Sequence, residues 1–200
     1  ILTYPFDNSY ILKNKRSIKK QLLSSDNGRI KKKIAVLGGS TTNEIVNILE
    51  LFLLNYGIEP EFYQSEYAQY WEDAVFGNSE LDSFSPDIVY IHTTNRNITG
   101  FSSNMSATES EIDDILNAQY HHFEQVWTAI KNKFDCPVIQ NNFEMPFYRL
   151  LGNKDSTDYR GKTNFINRLN TMFCKYASEN ENFYINDINY ISALYGLEKW

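Results

Sequence analysis

The sequence predicts an α/β fold of three layers, with helices covering both faces of a five-stranded parallel sheet. Three observations predict it. Apolar runs rich in branched and aromatic residues, "KIAVL" (33–37), "DIVYIH" (87–92) and "PVIQNN" (137–142), read as buried strands, and the weaker "EPEFY" (59–63) and "NFYIN" (182–186) complete five. Long helical patterns separate the strands, and such alternation means parallel strands joined by right-handed crossovers. Finally, 200 residues at 42% hydrophobic suffice to bury one domain well, and not comfortably two.

In chain order, residues 1–31 form a basic, partly helical lead-in ("SIKKQLL"), and 32–200 form the α/β domain. The basic runs "KNKRSIKKQ" and "RIKKK" read as the wet face of a helix and the approach to a strand, or as a docking patch. After the first strand, residues 42–56 carry Ile45, Val46, Ile48, Leu49, Leu51, Phe52, Leu53 and Leu54, apolar almost all round and so largely buried. Thr41 with Glu44 supplies a start signal and Gly57 a stop. The aromatics Tyr63, Tyr67, Tyr70, Trp71 and Phe76 then cover the sheet edge or wall a pocket. Residues 109–132 place Ile112, Leu116, Phe123, Trp127 and Ile130 on one stripe, behind a capping box of Thr108 and Glu111. Residues 162–178 repeat the pattern with Phe165, Ile166, Leu169 and Phe173. There is no internal repeat and no low-complexity linker.

Composition narrows the function classes. A net charge of −6 argues against a general nucleic-acid surface, which needs a positive field. No apolar run approaches the roughly 18–20 residues of a membrane span. Cys136 and Cys174, 38 positions apart in apolar segments, match neither a disulfide framework nor a metal-ligand spacing, so a reduced, cytoplasmic protein is expected. "NIT" (97–99) and "NMS" (104–106) match the glycosylation pattern by chance in such a protein. A chain running from Ile1 to Trp200 reads like a piece of something longer.

Ligands of such sheets bind beyond the carboxyl ends of the strands, where helix N-termini present unpaired N–H groups. Two loops at that edge, "TTNRNITGFSSNMS" (93–106) and "NFEMPFYRLLGNKDSTDYRG" (142–161), far exceed ordinary connections and are expected to carry function. The first loop, "GGSTTN" (38–43), holds Ser40. No lysine follows Gly39, so it is not a P-loop, and it lacks the spacing of a dinucleotide fingerprint. Two readings stand: Ser40 or Thr41 caps the helix after a tight glycine turn, or Ser40 is a nucleophile with its own N–H aimed at the developing oxyanion.

Other polar residues carry paired readings. His92, ending the third strand, is a satisfied structural residue or a base at the correct edge, while His121 and His122 lie mid-helix as surface or packing residues. Asn141 and Asn142 tie loops together or reach the site, and Arg160 is solvated or holds a substrate carboxylate or phosphate. No set of side chains has metal-ligand spacing, so no metal is expected.

A glycine-serine turn after the first strand, an asparagine after the third and an aspartate after the last resemble the arrangement of SGNH-type (GDSL-like) hydrolases. More closely, the chain resembles the N-terminal region of FkbH-like proteins, which join an SGNH-like domain to a phosphatase-type domain of the haloacid dehalogenase (HAD) superfamily, subclass IIIC. The residues behind this likeness are "YPFDNSYILKNKRSIKKQL", "IAVLGGSTTNEI", "YQSEYAQYWEDAVFGNSELDSFSPDIVYI", "PVIQNNFEMP" and "INDINYISALYGLEKW", essentially end to end. The resemblance implies a flavodoxin-like sheet with Ser40 at the nucleophile position. It also implies Asn95 as oxyanion donor, the Ser40 and Gly39 amides as co-donors, and Asp187 as the aspartate of a terminal D-x-x-H. Here the sequence departs, because Tyr190 stands where the histidine belongs. A phenol with a reference pKa of about 10 is a poor proton acceptor at neutral pH.

Two functions therefore stay open: acyl-group handling at Ser40, or a catalytically inactive module that docks a carrier protein or positions substrate. Gly39, Thr41, His92, Asn142, Arg160 and Tyr190 are the expected binding positions beside the catalytic set. What the resemblance implies about partners is a C-terminal HAD-like domain of the same chain, supplying the metal and aspartate chemistry, and an acyl carrier protein. Neither nucleic acid nor membrane is expected, nor any cofactor in this domain.

Overall fold

The structure is a computed structural model that describes residues 2–24, 28–102 and 104–200; Ile1 and residues 25–27 of the expected lead-in, and Ser103 of the loop after the third strand, lie outside it. Five strands, β1 (Ile30–Gly38), β2 (Ile58–Gln64), β3 (Ile88–His92), β4 (Val138–Asn141) and β5 (Phe183–Asn186), form one sheet in the order β2-β1-β3-β4-β5. Every pairing is parallel, and Gly38 at the end of β1 sits level with His92 at the end of β3. The expected three-layer parallel sandwich is the observed architecture, in the strand order of flavodoxin-like folds.

Parallel strands are buried on both faces, and β1 shows it: Ile34 to Gly38 are all buried. Ala35, Leu37, Val89, Ile91, Val138 and Phe183 belong to the main core, where α5 (Glu109–Lys133) contributes Phe123 and Trp127 and α6 (Lys162–Glu179) contributes Ile166, Leu169 and Phe173. Trp127 packs its ring 4.7 Å from that of Phe173, and its Nε1–H donates to Gln140 at 2.9 Å, satisfying the one polar atom the indole buries. Two short helices, α3 (Tyr70–Val75) and α4 (Ser79–Phe84), join this core through Tyr70, Ala74 and Leu81. Of the expected aromatic cluster, Tyr63 and Tyr70 are buried, whereas Tyr67 and Phe76 are exposed.

On the other face, α2 (Asn43–Asn55) turns Val46 and Leu53 to Ile34 and Val36 of the sheet. Its remaining apolar flank, with Leu51 and Leu54, is covered by Ile11, Ile18 and Leu22 of α1 (Asn8–Ser24). This double contact explains why α2 is apolar almost all round. Lys15 pairs with Glu44 and Lys19 with Glu50, so two cations of the basic run clip α1 to α2.

The start of α2 departs from the expected pattern because the helix begins one residue later than Thr41 would cap it. The Thr41–Glu44 start signal does not form a capping box. Thr42 occupies the cap position without a side-chain cap, its hydroxyl donating to Gln64 at 3.2 Å, while Glu44 turns to Lys15. The Thr108–Glu111 box forms in both directions. Among the described residues, no helix is long and apolar enough to cross a membrane.

Candidate functional site

The turn after β1 is built by close approach. The N–H of Gly39 donates to the His92 carbonyl at 2.8 Å, carrying the β1–β3 pairing one residue past the strand. Asn97 lies directly over Gly39, donating to its carbonyl at 2.9 Å, and its own Oδ1 accepts the Thr94 N–H at 2.9 Å. A Cβ on Gly39 would come within 2.5 Å of the Asn97 amide, and one on Gly38 within 2.7 Å of the Ser40 carbonyl and the Thr42 methyl. The glycines are therefore required for space and not for an unusual φ. This packing leaves Ser40 half-exposed at the sheet edge, and among the described residues neither its hydroxyl nor its N–H has a protein hydrogen-bond partner.

Ser40 borders a hollow of about 660 Å³ together with Thr94, Asn95 and Glu144. Its apolar walls include Phe101, Met145 and Phe147, and residues Leu197 and Trp200 approach from the end of the chain. The two long loops form most of it. Arg160 locks them together: its guanidinium holds Asp158 at 2.9 and 2.8 Å and donates to the Met105 carbonyl at 2.6 Å. The same guanidinium holds the Asp158 carboxyl down to about 2. Arg160 thus clamps one loop to the other and is not among the residues bordering the hollow.

Asn95 opens a 3-10 turn (Asn95–Asn97) capped by Thr94. Its N–H donates to Glu144 Oε2 at 3.2 Å, and its side-chain amide donates to the carbonyls of Glu144 and Met145 at 3.3 and 3.4 Å. Those last two bonds are long, near the weak end of the normal range. Glu144 itself is only 8% exposed, and burial raises its carboxyl above the ordinary value, against the smaller opposing influence of hydrogen bonds and the Arg96 charge. Two cations, Arg96 and Lys162, border the same hollow, and among the described residues neither is in an ion pair; the Lys162 ammonium lies 4.8 Å from the Phe101 ring centre.

Asp187 directly follows β5. It is the N-cap of α7 (Ile188–Tyr195): its Oδ1 accepts the Tyr190 N–H at 3.1 Å and the Asn142 amide at 2.7 Å. Asn142 in turn accepts the Asn189 N–H at 3.0 Å, so the Asn142–Asp187 pair fastens α7 to the end of β4. Tyr190 is 65% exposed. Neither Asp187 nor Tyr190 borders the hollow, and neither do Gly39, Thr41, Asn142 and His92.

His92 belongs to a polar cluster at the ends of the strands. Its Nδ1 meets the Tyr90 hydroxyl at 3.0 Å and the Asn141 amide at 2.9 Å, while Asn186 donates to Asn141 at 2.8 Å. An amide N–H pointing at Nδ1 fixes that nitrogen as an acceptor, and burial lowers the imidazole pKa. His121 pairs with Glu124 on the surface, and His122 stacks against Trp71 with its Nε2 on the Tyr70 hydroxyl. Among the described residues, no group of three His, Cys, Asp or Glu side chains could hold a metal ion.

The structure thus brings Ser40 and Asn95 to one hollow and places Asp187 on a helix cap. Sequence reasoning did not single out Glu144, Asn97, Arg96 or Lys162. For Glu144 a signal existed: one carboxylate set between Phe143, Met145 and Pro146 directly after a buried strand. Asn97 gave none, since its partner Gly39 lies 58 positions away.

A parallel α/β sandwich with a serine at the tip of its first strand and a ligand-sized hollow beyond the strand ends defines the class of this domain. The FkbH N-terminal domain family matches residues 33–200, and the chain belongs to that family. Among solved structures, it is similar to the N-terminal part of the protein BF1531 from Bacteroides fragilis, described as containing a phosphatase domain complexed with Mg. The TM-score is 0.75 at 18% identity, and the match covers 94% of this chain and 47% of that one. The chain thus spans about half of its solved neighbour, which at this identity speaks for the fold. No curated protein matches it.

Proposed function

We propose that this domain handles an acyl group at Ser40, within a biosynthetic protein whose phosphatase-type, HAD-like domain lies in the same chain. The acyl unit, a glyceryl group for example, is passed to a carrier protein or released by ester hydrolysis. The observation that carries the reading is the shared hollow: Ser40 borders the same space as Asn95, and among the described residues its hydroxyl and N–H have no hydrogen-bond partner. The Ser40 oxygen attacks the acyl carbonyl, and the Ser40 N–H donates to the developing oxyanion. Asn95 joins it by exchanging one of its long bonds to the loop carbonyls, whereas the Gly39 N–H is already engaged by His92. Phe101, Met145 and Phe147 offer apolar contact to the acyl chain. Two free cysteines accord with a cytoplasmic location.

The test is labelling of the purified protein with a fluorophosphonate and turnover of acyl esters and thioesters, comparing wild type with Ser40→Ala. Labelling and turnover that vanish with the hydroxyl are expected; signal that persists in the variant overturns the assignment.

One observation favours a second reading, a binding module without catalysis. The carboxylate expected to steer a base caps α7, and a solvent-exposed tyrosine follows it at the base position. On that reading no probe labels Ser40, and a carrier protein still binds.

A further inference from the structure

A serine needs a proton acceptor, and the histidines do not border the hollow. His92 has its Nδ1 occupied within the Tyr90–Asn141 cluster, and His121 and His122 lie on α5 among Glu124, Tyr70 and Trp71. One carboxylate in the hollow remains buried, and it comes from the loop directly after β4. Glu144 is 8% exposed, borders the same space as Ser40, and receives the Asn95 N–H on Oε2 only. Among the described residues, its other oxygen has no hydrogen-bond partner from another residue.

We propose that Glu144 is the proton acceptor for Ser40, taking the part that Tyr190 cannot. The inference rests on the acyl-handling reading of the same hollow. The Ser40 proton passes to the Glu144 carboxylate as the oxygen–carbon bond to an acyl ester or thioester forms. When the tetrahedral intermediate collapses, the carbon–oxygen or carbon–sulfur bond to the leaving group breaks, and Glu144 returns the proton to that alcohol or thiol. A water, or a carrier thiol in transfer, then repeats the sequence in reverse and regenerates Ser40 with its proton. No other reactant is needed.

The surroundings suit a carboxylate for this work. A base is most effective when its pKa lies near the working pH, and burial moves a carboxylate in that direction. The charged groups bordering the hollow are Arg96 from the loop after β3, Lys162 from the start of α6 and Glu198 from the end of the chain. Arg96 opposes the effect of burial without cancelling it. The N–H of Asn95 holds the carboxylate in place, so the residue expected to donate to the oxyanion also positions the base.

The experiment measures the rate of fluorophosphonate labelling at Ser40 across the acid-to-neutral range, in wild type, Glu144→Gln and Glu144→Asp. For wild type, the rate should rise with pH through one ionisation lying above the ordinary carboxylate value of 4.5. Glu144→Gln, which keeps an acceptor for the Asn95 N–H, should label about 100-fold more slowly and lose that pH dependence. Glu144→Asp, which keeps the carboxylate, should retain the pH dependence at a reduced rate. A purely structural Glu144 gives the opposite pattern, with the glutamine variant labelling like wild type, and that result overturns the proposal. If wild type itself is not labelled at Ser40, the acyl-handling reading falls first and this inference with it.

Discussion

Gly39 lacks a side chain because the Asn97 amide fills the place where one would go. Overpacking of that kind typically costs about 1–3 kcal/mol. Gly39→Ala should therefore lower unfolding free energy by that amount in urea titration, and slow Ser40 labelling by displacing the turn. His92 supplies a pH-dependent prediction. Its folded pKa is lowered from 6.5 by burial, so the unfolded chain binds the proton more readily. Its contribution to stability is complete above 6.5 and is lost as pH falls below that value and through the folded pKa. His122, also lowered by burial, adds to the same slope, whereas Glu144, raised by burial, contributes below 4.5 and loses its contribution as pH rises through its folded value. Unfolding free energy should decline just below pH 6.5, and His92→Gln should flatten that decline; an unchanged slope would show the imidazole to be uninvolved. At this scale the sequence showed where Ser40 and Asn95 lie, two and three residues past the ends of β1 and β3. It was silent about Asn97, whose role depends on a partner in another loop.

Elements were legible where one pattern had one physical cause. The five strands and the three long helices appear close to where periodicity put them, because burial on both faces of a parallel sheet leaves continuous apolar runs. The Thr108–Glu111 cap formed, while the Thr41–Glu44 signal did not, since the helix is capped one residue later, at Thr42, which puts Ile45 at the third position. Helices α3, α4 and α7 are six to eight residues long, too short to establish a period. Packing of α1 on α2 rests on Ile18 and Leu51, both almost fully buried. Leu51→Ala should cost about 2–5 kcal/mol in denaturant unfolding, whereas the exposed Leu12→Ala should cost little. The α7 cap gives a sharper contrast. Asp187→Ala should lose about 1 kcal/mol of stability, and Asp187→Asn, which can also cap, should lose less. If both variants keep wild-type stability, the cap is not what Asp187 contributes.

For the whole molecule, the sheet was legible and the hollow was not. Its walls come from two long loops and the chain end, brought together by contacts across long sequence separations, Arg160 to the Met105 carbonyl and Asn95 to Glu144. Such contacts leave no periodicity, so a sequence can show that the loops are long without showing what they enclose. The claim at the centre is that this enclosure directs an acyl group onto Ser40. The most direct measurement is rapid quenching of the purified protein with a short-chain acyl thioester, followed by peptide mass mapping. The account predicts a single acyl adduct on residue 40, absent from Ser40→Ala; no adduct, or an adduct on a residue outside the hollow such as Cys174, would contradict it.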